Sequence, residues 1–227
     1  MTNITKTFTD VLANNQICLD IFSGEILSLL GENGSGKTTL MNMLSGIYMP
    51  DSGEIEINGE HVTIRDPKDA FDLHIGMIHQ HFKLVDILTA AENIVLGLNE
   101  SRLIDLKNVR NQVAKICDRY GFEVHPDKYV YDMSVSEKQT LEIVKSLYRG
   151  ADILILDEPT AVLTPQETDK LFDVMRNMKE DGKSIVIITH KLHEVMEISD
   201  RVVVLRKGEV VADLRTADSN PQQLTDL

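Results

Sequence analysis

The 227-residue chain has little positive charge for its size: 23 lysines and arginines stand against 36 aspartates and glutamates, a formal net charge of −13. Non-specific nucleic-acid binding needs a basic surface, so the balance argues against it, although a local basic patch stays open. Cysteine is also scarce. Cys18 and Cys117 are the only two, and they match no metal-ligand spacing. Two lone cysteines suit a reducing compartment and are expected to be small, buried and apolar. Long hydrophobic runs are missing too. None approaches the ~18–20 residues of a membrane span, and the N-terminus has no signal-peptide pattern. The plain expectation is a cytosolic protein, with any membrane crossing left to another chain. Internal repeats, low-complexity tracts and long linkers are absent as well.

What is present is an ordinary globular composition, 42% apolar and 26% charged, in a chain long enough to bury one core. Continuous apolar runs at Ile26 to Leu30, Ile153 to Leu156 and Ile185 to Ile188 predict strands of a parallel sheet covered on both faces. Two segments predict antiparallel pairs instead. "DSGEIEINGEHV" alternates Ile55 and Ile57 with polar neighbours and turns at Asn58-Gly59, and "RVVVLRKGEVVADL" turns at Lys207-Gly208. Between Thr89 and Gly150 the pattern becomes helical, with Leu106, Val109, Val113, Ile116, Cys117 and Tyr120 on one stripe. In "MSVSEKQ", Ser134 and Glu137 have the spacing of a helix capping box. That start is either an ordinary helix cap or an open helix end that holds an anion.

"GENGSGKTT", Gly31 to Thr39, follows the first apolar strand and precedes a helical segment, which is the setting of a phosphate-binding loop. Gly34 and Gly36, alternating with Asn33 and Ser35, let the backbone turn its N–H groups inward around phosphates. Lys37 would then serve the β- and γ-phosphates of a nucleotide, and the Thr38 hydroxyl, followed by Thr39, would ligate Mg²⁺. "ILILDEP" ends a strand in two carboxylates. Asp157 there suits the metal, and Glu158 suits a base that polarises the attacking water. "SIVIITH" brings His190 to the same sheet edge, to contact the γ-phosphate or that water. No Asn-Lys-x-Asp is present to read guanine, so a GTPase is excluded.

These motifs, in this order and with a helical insertion, resemble the nucleotide-binding domain of ABC ATPases. The resemblance spans essentially the whole chain. It implies an α/β fold: a P-loop NTPase (RecA-like) core with an antiparallel β subdomain, formed by residues 1–88 and 151–227, and an inserted α-helical subdomain at 89–150. It implies ATP and Mg²⁺ as ligands. It also assigns Gln80 of "IGMIHQHF" to the link between metal site and helical subdomain, and Phe8 to stacking on adenine, although Phe8 equally suits a core position. Such domains pair head to tail, each ATP lying between one phosphate loop and the other unit's signature, typically Leu-Ser-Gly-Gly-Gln. "MSVSEKQ" stands in that place, so Ser134 and the N–H groups of Val135 and Ser136 would face a partner's γ-phosphate.

The chain departs from the family pattern in one direction. Val135 and Ser136 replace both signature glycines, Glu137 replaces the glutamine, and Thr164 stands where an aspartate usually contacts the opposite site. Everything serving the chain's own ATP is intact, and what it offers to a partner's ATP is altered. This predicts an asymmetric pair in which the site on this phosphate loop is the faster. "HQHFKLVDILTAAENIVLG" and "YRGADILILDEPTAVLTPQE" resemble the ATP-binding subunits of bacterial simple-sugar and nucleoside importers, in which two such domains are usually fused. By that resemblance the chain is an excised N-terminal half whose first strand, with only Ile4 clearly apolar, looks clipped. Its partners would be the second ATPase half, membrane permease subunits and, indirectly, an extracellular solute-binding protein, with no nucleic acid. It would sit in the cytoplasm on the inner face of the membrane. The alternatives are a soluble ABC protein acting on ribosomes or DNA, and a nucleotide sensor that does not hydrolyse.

Overall fold

The computed structural model describes residues 1–98 and 105–225. Residues 99–104 of the expected helical insertion and the last two residues lie outside it. In chain order the first elements are β1 (Thr2–Phe8), β2 (Val11–Ile17), β3 (Ile26–Leu30), α1 (Lys37–Leu44), β4 (Ser52–Ile57) and β5 (Glu60–Val62). Then come α2 (Pro67–Asp72), β6 (Ile75–Ile78), α3 (Ala90–Val95), α4 (Leu106–Tyr120) and α5 (Val135–Tyr148). The rest are β7 (Ile153–Asp157), α6 (Pro165–Glu180), β8 (Ser184–Thr189), α7 (Leu192–Ile198), β9 (Arg201–Arg206), β10 (Glu209–Arg215) and α8 (Pro221–Thr225).

The strands sort by their apolar pattern. β3 and β8 are buried at every position and lie at the centre of a six-stranded sheet ordered β10-β9-β3-β8-β7-β6. The strands from β9 to β6 are parallel, as runs without polar alternation require. β10 is antiparallel to β9, so the Lys207-Gly208 hairpin extends the edge of this main sheet. The second sheet, β2-β1-β4-β5, is antiparallel throughout and includes the Asn58-Gly59 hairpin. In both hairpins the two turn residues have positive φ, the geometry that matches strand twist in a two-residue turn. β1 forms over seven residues with Ile4 fully buried opposite Ile17.

Two cores flank the main sheet. One packs α3, α4, α5 and α6 against it, and the predicted α4 stripe faces inward there. The other buries α1 between the two sheets, through Leu40, Met41 and Met43. The cysteines depart from expectation: Cys18 is exposed and Cys117 only half-buried. Strand alternation explains the first, since Ile17 and Leu19 point inward and Cys18 between them points out. Its thiol meets the Asn3 backbone N–H at 3.4 Å. Burial pushes the Cys117 thiol above its ordinary value.

Candidate functional site

The register of the main sheet fixes where the motifs meet. Leu30 at the end of β3 lies opposite Thr189 at the end of β8, and Asp157 at the end of β7 lies opposite Ile188. The residues that follow, Gly31 onward, Glu158 and His190, therefore leave the sheet along one edge. This is the carboxyl edge, where open parallel sheets bind ligands.

The loop after β3 is bound tightly at both ends. A Cβ on Gly36 (φ 103°) would lie 2.4 Å from the Ala13 carbonyl oxygen, and one on Gly31 would lie 2.2 Å from that of Leu205. Only glycine permits either approach. β2 thus underlies one end of the loop and β9 the other. Gly208 N–H also donates to the Ser35 carbonyl at 3.0 Å. Ser35 is buried while Asn33 and Gly34 are exposed at the tip. The Lys37 ammonium lies inside the loop, donating to the carbonyls of Gly31 and Glu32 at 2.8 Å each. Burial lowers its pKa, and the nearby Glu158 and Asp157 carboxyls oppose that shift. Thr38 is exposed and Thr39 half-buried in the first turn of α1.

The Thr38 hydroxyl donates to Asp157 Oδ1 at 3.3 Å. Burial raises the Asp157 carboxyl above its ordinary value, against the lowering effect of that hydrogen bond. Glu158 adopts φ 48°, a left-handed conformation unusual for a residue of its size. Its N–H donates to the Ile188 carbonyl at 2.9 Å, and its Oε1 lies 3.0 Å from His190 Nδ1. An ionised carboxylate only accepts, so in that state of Glu158 the hydrogen resides on Nδ1 and His190 Nε2 remains available. Lys37, Thr38, Asp157, Glu158 and His190 are thus brought together.

Gln80 is not joined to them. It is exposed two residues past β6, and among the described residues no hydrogen bond links it to Thr38 or Asp157. Phe8 ends β1 at 37% exposure, so it is not a core residue. Its ring meets Tyr48 edge-on at 5.0 Å, with Lys6 Nζ 5.5 Å above it. Tyr48 was not legible as a partner, being forty residues away in the chain.

At the start of α5 the capping box is formed: Ser134 Oγ accepts from Glu137 N–H at 3.2 Å, and Glu137 Oε2 accepts from Ser134 N–H at 2.8 Å. Lys128 Nζ reaches both oxygens of Glu137, at 2.7 and 2.9 Å. That pairing, with the Ser134 N–H, holds Glu137 below the ordinary glutamate range. Val135 is exposed, and the Thr164 N–H and hydroxyl, with a smaller effect from Ser136, hold the Glu167 carboxyl below its ordinary range. Thr164 caps α6 in a second capping box with Glu167. Sequence reading missed Lys128 and also Asn14. The Asn14 side chain is fully buried in β2 and donates to the Gly36 carbonyl at 3.2 Å. A polar residue at an inward strand position was the available signal.

Comparison with known proteins agrees with the fold. The guanosine import ATP-binding protein NupO of Bacillus subtilis is 53% identical over 229 residues, covering all of this chain and 45% of that protein. The nucleoside import ATP-binding protein NupA of Lactococcus lactis is 47% identical with the same coverage. The chain therefore spans a little under half the length of these curated relatives. Among solved structures, the dimeric bacterial ABC transporter cassette MJ0796 superposes with a TM-score of 0.82 at 26% identity, over 95% of this chain and 97% of that one. A family model described as "ABC transporter" matches residues 14–161, well over half of the chain. The chain belongs to the ABC transporter family.

Proposed function

We propose that this chain binds and hydrolyses ATP to energise an importer of a nucleoside or simple sugar, as one ATPase unit with residues 89–150 as its helical subdomain. The observation that carries the reading is the convergence of Lys37, the Thr38–Asp157 pair and the Glu158–His190 pair at one sheet edge. The residues fit a Mg²⁺-nucleotide: two hard oxygen donors, Thr38 Oγ1 and Asp157 Oδ1, lie beside the loop amides and the Lys37 ammonium. Magnesium there would neutralise charge on the phosphate oxygens. Gln80 would join this set by a movement of the segment after β6.

The chain's own groups then divide the work. Loop amides from Asn33 to Thr39 and the Lys37 ammonium hold the β- and γ-phosphates. Glu158 accepts the proton of the attacking water, and His190 orients that carboxylate through Nδ1. Phe8 offers a half-exposed face to adenine. The second ATPase unit would be the other half of a longer protein, in line with the coverage of the relatives. The similarity to a nucleoside and a guanosine import ATP-binding protein favours nucleosides over sugars. Permease subunits would hold the assembly at the cytoplasmic face of the membrane.

The test is the ATPase rate of the full-length protein with Glu158→Gln. A fall of about 10²–10⁴ with ATP binding retained is expected. An unchanged rate would overturn the assignment of the base, and a parent protein without measurable hydrolysis would favour a sensor. The asymmetric pairing has its own test: transport should suffer more from Glu158→Gln than from disabling the equivalent glutamate of the second unit. Equal losses would contradict it.

A further inference from the structure

Directly behind the Glu158–His190 pair lies a carboxylate that this mechanism does not use. Glu194, in the first turn of α7, is only 2% exposed. Its Oε1 accepts from the Thr160 hydroxyl at 2.5 Å and its Oε2 from the Thr189 hydroxyl at 3.3 Å. Thr160 and Thr189 are as deeply buried. Lys191 completes the group: its Nζ lies 2.9 Å from Glu194 Oε1 and donates to both the carbonyl and the hydroxyl of Thr160, at 3.0 Å each. The Lys191 N–H donates to the Thr189 hydroxyl at 3.1 Å, so each threonine hydroxyl both donates and accepts.

Burying a carboxylate costs stability unless it is paired and hydrogen-bonded, and the Lys191 partner is itself 30% exposed, so the presence of Glu194 here calls for another reason. Its position supplies one. Thr160 is two residues after Glu158, and Thr189 immediately precedes His190. The two turns come from different strands, β7 and β8. Glu194 grips one with each oxygen. Glu158 is in a left-handed backbone conformation, which persists only where the surroundings over-determine it.

We propose that Glu194 is a positioning residue: by tying the Thr160 turn to the Thr189 turn, it holds Glu158 and His190 in their pairing. Glu194 touches neither of them directly. The inference rests on the ATPase reading above and adds a residue to it. Replacing Glu194 by the isosteric Gln leaves the ion pair with Lys191 unmade, removes the charged acceptor from both hydroxyls and turns an amide NH2 donor toward one of them. The turns then loosen relative to each other while the phosphate loop, on β3, is untouched.

The experiment is steady-state ATPase kinetics of the full-length protein carrying Glu194→Gln, Thr160→Val or Thr160→Ser, with ATP affinity and melting temperature measured alongside. The expected result is a kcat about tenfold lower or more for Glu194→Gln and Thr160→Val, with KM and ATP affinity within twofold of the parent, since supporting shells of reactive groups have effects of this size. Thr160→Ser, which keeps the hydroxyl, should recover most of what Thr160→Val loses. An unchanged kcat in Glu194→Gln would overturn the proposal. So would a parallel fall of kcat, ATP affinity and melting temperature, which would mark a merely structural role. If the parent protein itself hydrolysed no ATP, the ATPase reading would fail, and that outcome is distinct from either result at Glu194.

Discussion

Glu158 and Gly36 show how single residues hold this site in shape. The left-handed backbone at Glu158 turns its side chain off the axis of β7 and toward His190, so the residue after a buried strand ends half-buried beside a histidine. Gly36 meets the opposite demand, a backbone so close to Ala13 that no side chain fits. Replacing Gly36 by Ala forces a contact with that carbonyl and a strained φ, expected to cost about 1–3 kcal/mol of stability. Because the same shift moves the N–H groups at the start of α1, ATP affinity should fall with it. Thermal unfolding together with nucleotide titration checks this, and an unchanged affinity would contradict the placement of the loop. At this scale the sequence was legible wherever a residue type and its spacing carry the chemistry, as in Lys37, Thr38, Asp157, Glu158 and His190. It was not legible at Asn14, Glu194 and Tyr48, whose partners lie on other elements and follow no local spacing.

Among the elements, α5 is the most informative. The altered signature looks from its residues as though Glu137 adds a negative charge toward a bound phosphate. In the fold that carboxylate is turned back onto the Ser134 N–H and paired with Lys128, which precedes the helix. Its folded pKa is lowered, so the pairing stabilises the protein above the ordinary glutamate range and its contribution is lost as the pH falls through the folded value. Lys128→Met should accordingly destabilise by up to about 1 kcal/mol at neutral pH, a modest figure because both partners are about a third exposed. The gap to the parent protein should close on acidification. Melting curves across pH 3–7 test this (the range follows the usual carboxylate titration), and a gap that widens toward acid would refute it. The capping box was readable from Ser134 and Glu137 three residues apart. Lys128 was not, since a lysine in a polar stretch signals nothing until the chain folds.

At the level of the molecule, the parallel sheet, the antiparallel sheet and the helical insertion followed from apolar runs, alternation and helical stripes, each a local pattern. The assignment of the Lys207-Gly208 hairpin to the main sheet did not, because only the parallel pairing of β9 with β3 decides it. The altered signature leads to a further expectation. With Mg-ATP and Glu158→Gln, the chain alone should pair poorly with itself, and restoring Val135→Gly and Ser136→Gly should raise self-association. Sedimentation measurements decide it; equal association before and after the change would remove the asymmetric reading. The closed ends of the phosphate loop have a consequence for how the protein is made. Ala13, Asn14 and Gly208 brace the Gly36 end and Leu205 the Gly31 end, and these braces lie nearly two hundred residues apart in the chain. During N-to-C synthesis the loop residues emerge early but cannot take up their final shape until β9 and β10 have left the ribosome. A nucleotide that needs the finished loop would therefore recognise only chains in which β10 has been made, and its binding free energy would add to the stability of this whole fold rather than to that of any earlier fragment.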